Sequence, residues 1–166
     1  MIFDPILDLP PYLATRRNHA LEHATLKILE GKYKYKNLAG HSDRTGFFLF
    51  GDIALDHMRH AIDEAMSRLR AGDSDLAIHP GCGTNVVTSR LLPATFAFVT
   101  MQRARSNTWR FLLIPFAIGF ALFGYLLSKP LGPWLQRNIT TEADLGNMQV
   151  TEIVPVRKGA HRIITK

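Results

Sequence analysis

The sequence predicts an α+β protein with a small helix and β-hairpin domain, a two-helix membrane hairpin and a C-terminal β-hairpin. Two kinds of pattern carry this prediction. Short apolar and aromatic runs around turn-forming residues indicate β-hairpins near both ends of the chain. Longer apolar stretches, one-sided or apolar all round, indicate helices between them. The expected division is residues 1–85, 86–128 and 129–166.

The N-terminal segment is expected to begin with an extended lead-in over residues 1–13, which contain three prolines. Thr15 is a suitable N-cap for a helix that runs to Glu30, because threonine is favoured before the first helical turn. Gly31 follows as a helix-ending residue. Leu21, Ala24, Thr25 and Ile28 fall on one side of this helix, and His19, Glu22, His23, Leu26 and Glu30 fall on the other.

A β-hairpin is predicted next, because residues 38–41 and 46–50 flank the turn-forming stretch 42–45. Asp52 is the expected N-cap of a second helix over residues 53–71. Residues 75–79 are expected to form a short strand that ends at Pro80.

Two apolar segments follow, residues 86–101 and residues 111–128. The second carries no charge over its 18 residues, and about 17–25 such residues span a bilayer as a helix. A buried core helix is the alternative, but so small a domain could hardly cover a helix that is apolar all round. We therefore expect a membrane hairpin with its loop at residues 102–110. Residues 148–156 and 161–165 then flank a turn, which predicts the C-terminal hairpin.

The chain carries a formal net charge of +6, which suits nucleic acid or an anionic membrane surface. It contains no run of Lys and Arg with interleaved aromatic residues, so we expect the lipid bilayer and a membrane-protein partner, and no nucleic acid. Arg103, Arg105 and Arg110 favour a cytoplasmic hairpin loop. The N-terminus has no signal-peptide pattern, however, and we expect a cytoplasmic soluble part.

His19, Glu22 and His23 form the pattern H-x-x-E-H in the first predicted helix. Residues at i and i+4 lie one turn apart on the same face, so both imidazoles can reach one metal ion. Zinc takes imidazole ligands, and a carboxylate beside a catalytic zinc can accept a proton from water. The pattern predicts His19 and His23 as zinc ligands and Glu22 as a general base. The alternative is a histidine pair hydrogen-bonded inside the domain.

A second stretch, residues 79–85, supplies His79 and the only cysteine, Cys82. A proline and two glycines in this stretch predict a tight turn, which can present an imidazole and a thiolate to one ion. With the helical pair they would make a four-ligand set. Four protein ligands would form a closed structural site, and three with a water would form a catalytic one. The alternatives are a turn-capping histidine and a small buried cysteine.

The order H-x-x-E-H resembles the motif of the inverzincin peptidases over five residues. The two stretches together, H-x-x-E-H and H-P-x-C-G-T-N followed by apolar helices, resemble an uncharacterised family of small bacterial membrane proteins. The matching residues are His19, Glu22, His23, His79, Pro80, Cys82, Gly83, Thr84 and Asn85. The continuation from residues 130–133 into Gln136, Arg137, Thr140 and Thr141 also resembles one such family, so the resemblance covers most of the chain. The resemblance implies a membrane-anchored domain with a metal site, and it implies no established activity.

Two function classes fit these patterns. The first is a membrane-associated zinc metalloprotein that acts as a metallohydrolase or metallopeptidase, with Glu22 as the base. The second is a non-catalytic membrane assembly or scaffold protein with a structural metal site or none. The classes differ in whether the metal keeps an open coordination position.

Overall fold

The predicted α+β class is confirmed in the computed structural model, which describes residues 4–104 and 106–166. The chain forms two compact units, one running to His79 and resuming over Gln136–Lys166, the other covering Pro80–Leu135. The elements are α1 (Asp4–Leu7), α2 (Pro10–Lys32), β1 (Ala39–Asp43), β2 (Gly46–Phe50), α3 (Leu55–Arg70), a 3₁₀ helix (Ser74–Ala77), α4 (Gly83–Met101), α5 (Asn107–Leu135), a π-helical turn (Gln136–Thr140), β3 (Val150–Arg157) and β4 (Ala160–Thr165).

The four strands form one antiparallel sheet in the order β1-β2-β4-β3. Both predicted hairpins are present, and the C-terminal hairpin joins the N-terminal one because β4 pairs with β2. Phe47, Leu49 and Ile163 are fully buried and share one core with Met58 and Ile62 of α3. The last hairpin therefore completes the core of the first unit.

Helix α2 lies in the middle of this unit and is buried on most of its circumference. Every residue from Ala20 to Leu26 is buried, so both faces identified from the sequence are covered. Buried polar groups must be hydrogen-bonded to be tolerated. We therefore expect hydrogen-bond partners to hold the buried polar side chains of α2, including Glu22 and His23, in fixed positions.

The start of α2 differs from the prediction. The helix begins at Pro10, and Thr15 donates its hydroxyl proton to the carbonyl of Pro11 at 2.9 Å. Prolines fit the first turn of a helix, where no intrahelical bond needs their missing N–H, so the expected lead-in is largely helical over its described part. The predicted cap of α3 was also wrong, because that helix starts after Ala54 without a side-chain cap.

The strand predicted over residues 75–79 was wrong. Ser74–Ala77 form a 3₁₀ helix, in which the N–H of Leu76 donates to Asp73 and that of Ile78 donates to Asp75. Short polar residues such as Asp73 and Ser74 favour tight turns. The described strands belong to the two hairpins, so a strand here would have no neighbour.

The second unit consists of α4 and α5, in the two apolar segments of the sequence. Helix α5 continues to Leu135 and contains Pro130 and Pro133 in its last turns. Within the described residues, one continuous helical stretch, Asn107–Thr140, is long and apolar enough to cross a membrane. It comprises α5 and the π-helical turn, and its most apolar window has a mean hydropathy of 2.1. Only 17% of its most apolar window is buried, so its large apolar side chains are exposed.

Candidate metal centre

Two histidine rings lie side by side on α2. The ring centroids of His19 and His23 are 4.2 Å apart, and the ring planes are tilted by 59°. His23 is 1% exposed, whereas His19 is half-buried. The four-residue spacing on a helix produces this arrangement, because one turn separates the two side chains.

Each of the two rings is oriented by a backbone carbonyl. His19 Nδ1 lies 2.9 Å from the oxygen of Thr140, and His23 Nδ1 lies 2.7 Å from the oxygen of Ala77. A carbonyl only accepts, so in each neutral ring the proton is on Nδ1 and the lone pair on Nε2. A carbonyl partner on one nitrogen is the usual support for a histidine that ligates metal through the other.

His79 extends this group but has a second partner of its own. Its ring centroid is 5.7 Å from that of His23, and the side chain is buried. Its Nε2 lies 3.2 Å from a carboxylate oxygen of Glu30. Its backbone N–H donates to Oε1 of Gln136 at 2.9 Å. The 3₁₀ helix thus brings His79 to the histidine pair through a turn instead of a strand.

Cys82 lies three residues after His79, directly before α4, and is buried and not part of a disulfide. In the described part of the chain, a group that could hold a metal ion comprises His19, His23 and Cys82. Two imidazoles and one thiolate are a donor set that suits zinc. The sequence predicted these three together with His79.

Glu22 lies between the two histidines in the sequence. Its side chain is buried, with 4% of its surface exposed. Burial raises the pKa of its carboxyl above the ordinary value of 4.5. A hydrogen bond from Ser42 and the nearby His19 and His41 act in the opposite direction but do not cancel this effect. Glu22 therefore holds a proton more readily than an exposed glutamate does.

Strand β1 positions the Glu22 carboxylate through two contacts that the sequence did not predict. The hydroxyl of Ser42 donates a short hydrogen bond to Glu22 Oε2. A Cβ atom on Gly40 would overlap Glu22 Oε1, so any other residue there would displace the carboxylate. The sequence of this stretch predicts only a β-hairpin, and no local pattern links it to Glu22.

Gln136 and Thr140 were also missed, since they follow α5 and come from a distant part of the chain. Gln136 is fully buried and supports His79, and Thr140 supports His19. Among the described residues, Gln136 Nε2 has no hydrogen-bond partner. No spacing signal in the sequence could connect this turn with His79 and His19, which lie 57 and 121 positions earlier.

Comparisons with known proteins place the chain in a family. A family model described as a domain of unknown function, DUF6391, matches residues 14–153. An uncharacterized protein of Picosynechococcus sp. is 33% identical over 167 aligned residues, which cover 90% of this chain and 76% of that protein. No solved structure matches this chain. The chain therefore belongs to the DUF6391 family.

Proposed function

We propose that this protein is a membrane-associated zinc hydrolase in which His19, His23 and Cys82 bind the ion and Glu22 is the general base. The observation that carries the proposal is the histidine pair on α2. Both Nδ1 atoms face backbone carbonyls at 2.7–2.9 Å, so in each neutral ring the lone pair that would bind a metal is on Nε2. The two rings also form one group of potential metal ligands with the Cys82 thiol.

Three protein ligands are the number that a catalytic zinc takes, since the fourth position is kept for water or substrate. Cys82 precedes the first turn of α4, where the partial positive charge of the helix favours a thiolate. His79 stays outside this ligand set in the proposal, because its Nε2 pairs with Glu30. If His79 instead joined as a fourth ligand, the site would be closed and structural.

A zinc ion bound there would polarise a substrate carbonyl or phosphoryl group and lower the pKa of water toward 7. Glu22 then accepts the proton of the attacking water and returns it to the leaving group. The raised pKa of Glu22 suits this role, because a general base works best when its pKa approaches the working pH. Ser42 and Gly40 hold the carboxylate in place between the two transfers.

The exposed apolar surface of α5 supports a membrane location. Phe111, Phe116 and Ile118 are each more than 60% exposed. Soluble proteins rarely leave so large an apolar patch in water. We propose that α4 and α5 insert into the bilayer and that the first unit faces the cytoplasm, where the site would act on a membrane-proximal substrate.

Metal analysis of the purified full-length chain tests the ligand set. We expect one zinc per chain, lost in both His19→Ala and His23→Ala, with His79→Ala retaining it. His60→Ala, an exposed histidine on α3, is the matched control and retains the ion. Zinc that is equally retained by all the histidine variants would contradict the proposed site. Loss in His79→Ala, together with four protein ligands by X-ray absorption, would favour the scaffold class.

A second experiment tests Glu22 itself. Glu22→Gln keeps the size of the side chain but cannot take a proton, so the metal content should persist. Hydrolysis of peptide, ester or phosphoester substrates should fall by roughly 10²–10⁴-fold, the range that general-base catalysis supplies. If Glu22→Gln removes the metal, Glu22 is a ligand and the proposed mechanism fails.

A further inference from the structure

The two edges of the sheet are built differently. The edge strands are β1 and β3. Strand β3 contains Pro155, and its pairing with β4 has register shifts at Val150/Glu152 and at Pro155/Arg157. Proline and bulges are the features that protect an edge strand from pairing with another chain. Strand β1 has neither, and its five residues pair with β2 in continuous register.

The direction of the backbone groups in β2 follows from bonds just beyond its ends. The oxygen of Thr45 accepts from the N–H of Thr165, and the N–H of Gly51 donates to the oxygen of Gly159. Successive residues of an antiparallel strand point their backbone groups to opposite sides. The odd-numbered residues of β2 therefore face β4, and its even-numbered residues face β1.

The same alternation fixes which groups of β1 face outward. The even-numbered residues of β2 are in register with Ala39, His41 and Asp43, whose backbone groups thus point to β2. The N–H and C=O groups of Gly40 and Ser42 point to the open edge. These two residues can pair with an additional strand.

Gly40 and Ser42 are also the two residues that hold Glu22. The Ser42 hydroxyl binds the Glu22 carboxylate, and Gly40 provides its space. A groove runs beside this part of β1, lined in part by Tyr12, Thr15 and Ser42. Tyr12 is 55% exposed, so an apolar ring is available at the groove wall. The open edge therefore belongs to the same two residues that contact the Glu22 carboxylate.

We propose that an extended peptide binds as an added strand on the open edge of β1, and that this peptide is the substrate class of the site. The proposal rests on the proposed function. Strand addition takes its affinity from backbone hydrogen bonds. A paired strand lies about 4.8 Å from its neighbour, so a peptide on this edge would run alongside Gly40 and Ser42, which contact the Glu22 carboxylate. Water adds to the amide carbonyl, the C–N bond breaks, and a carboxylate and an amine are released.

Peptide binding is measured apart from turnover, by fluorescence anisotropy on the zinc-loaded, full-length Glu22→Gln chain in detergent micelles. The probe is a pool of fluorescein-labelled decapeptides without proline. In this background, Ser42→Pro removes the edge N–H, and Ser42→Ala removes only the hydroxyl. We expect Ser42→Pro to weaken binding by roughly tenfold, the upper end of the range for one lost backbone hydrogen bond. Ser42→Ala should bind within about twofold of its parent.

A pool that is N-methylated at every second residue should not bind, because it cannot pair with a strand. Equal binding of both pools, or of both Ser42 variants, overturns the proposal. Where Ser42→Pro does not fold, amide hydrogen exchange on the parent chain decides. Peptide should slow exchange at Gly40 and Ser42 and leave Ile153 on β3 unchanged, and unchanged exchange at all three overturns the proposal.

The two proposals fail in different ways. Peptide that pairs with β1 but is never hydrolysed by the zinc-loaded wild-type chain overturns the hydrolase and leaves the binding edge in place. Zinc-dependent hydrolysis of an ester substrate without any peptide binding overturns the edge and leaves the hydrolase.

Discussion

At the scale of single residues, the site depends on how a carboxylate is kept inside the first unit. Glu22 is 4% exposed, accepts from the hydroxyl of Ser42, and has His19 and His41 nearby. Below pH 4.5 its carboxyl is protonated in both folded and unfolded chains and affects their balance little. Above that pH the unfolded chain ionises first, because burial raises the folded-state pKa. Folding is therefore opposed increasingly as the pH rises toward the folded pKa.

This linkage gives a prediction for metal-free protein. Glu22→Gln should be more stable than the wild type at pH 8, where the wild type carries the cost of burying a charge. The two should be nearly equally stable at pH 4. Urea unfolding of chelator-treated protein at pH 4, 6 and 8 measures the difference. A difference in unfolding free energy that stays constant over this range would contradict the assigned environment of Glu22.

Gly40 gives a second prediction at this scale. A methyl group there would displace the Glu22 carboxylate, and a shift of about 1 Å can cost roughly 10²-fold in rate. Gly40→Ala should therefore keep its metal and lose most hydrolytic activity. Gly31→Ala in α2 is the matched control, because nothing lies within 4 Å of its Cβ position. It should be unchanged in activity and about 0.5–1 kcal/mol more stable, since alanine is favoured over glycine in a helix. Equal activity of the two variants would contradict this role of Gly40.

The same residues show what could be predicted about the site. The i, i+4 spacing is a local property, so the sequence alone indicated that the His19 and His23 rings share a face. Gly40, Ser42, Gln136 and Thr140 are brought to the site by tertiary structure, and no local spacing predicts which side chains they contact. The sequence could therefore predict the histidine pair, and could not predict the residues that contact the pair and Glu22.

At the scale of elements, the two hairpins are linked where β1 turns into β2. Arg162 of β4 donates to Asp43 Oδ1 at 2.7 Å, and the N–H of Thr45 donates to the same oxygen at 2.8 Å. Burial alone would raise the pKa of Asp43, but these hydrogen bonds and the positive charge lower it to about 2. The charged carboxylate thus connects a turn near one end of the sequence with the last strand.

The pH dependence of this link follows from the lowered pKa. Its contribution to stability is complete above pH 3.8, the ordinary value, and is lost as the pH falls through about 2. Asp43→Asn should lower the urea midpoint at pH 7, and its difference from the wild type should shrink between pH 4 and pH 2. Asp63→Asn on the exposed side of α3 is the control. A difference that persists unchanged at pH 2 would show that charge is not what Asp43 contributes.

The elements also show where local patterns mislead. The hairpins and the long helices were predictable, because alternation and apolar periodicity repeat over many residues. The stretch of residues 75–79 is too short to show a hydrophobic period. The polar residues beside it favour the 3₁₀ helix that the structure contains. Pro10 and Pro11 predict an extended segment if proline is treated as a helix breaker. Proline is accepted in the first turn of a helix, however, and α2 begins with these two residues.

At the scale of the whole molecule, the two units have opposite relations to solvent. The first unit covers its apolar side chains and even buries part of its polar ones. The second exposes phenylalanine, leucine and isoleucine side chains along most of α5. A helix in hydrocarbon satisfies its own backbone hydrogen bonds and loses nothing by exposing apolar side chains. The second unit therefore has the surface expected of a bilayer anchor, and the first has that of a folded domain in water.

The full-length chain should accordingly remain in the membrane pellet after a carbonate wash. Phe116 and Leu122 of α5 are 61% and 58% exposed, and an arginine near the centre of a spanning helix costs about 2.5–3.5 kcal/mol on insertion scales. The double variant Phe116→Arg, Leu122→Arg should therefore leave the pellet or fail to insert. Val156→Arg on β3 is the control, since Val156 is 57% exposed in the first unit and should not affect partitioning. Wild-type protein that is recovered soluble and monomeric without detergent would contradict the anchor. So would a double variant that partitions as the wild type does, because the exposed face of α5 would then not be in contact with lipid.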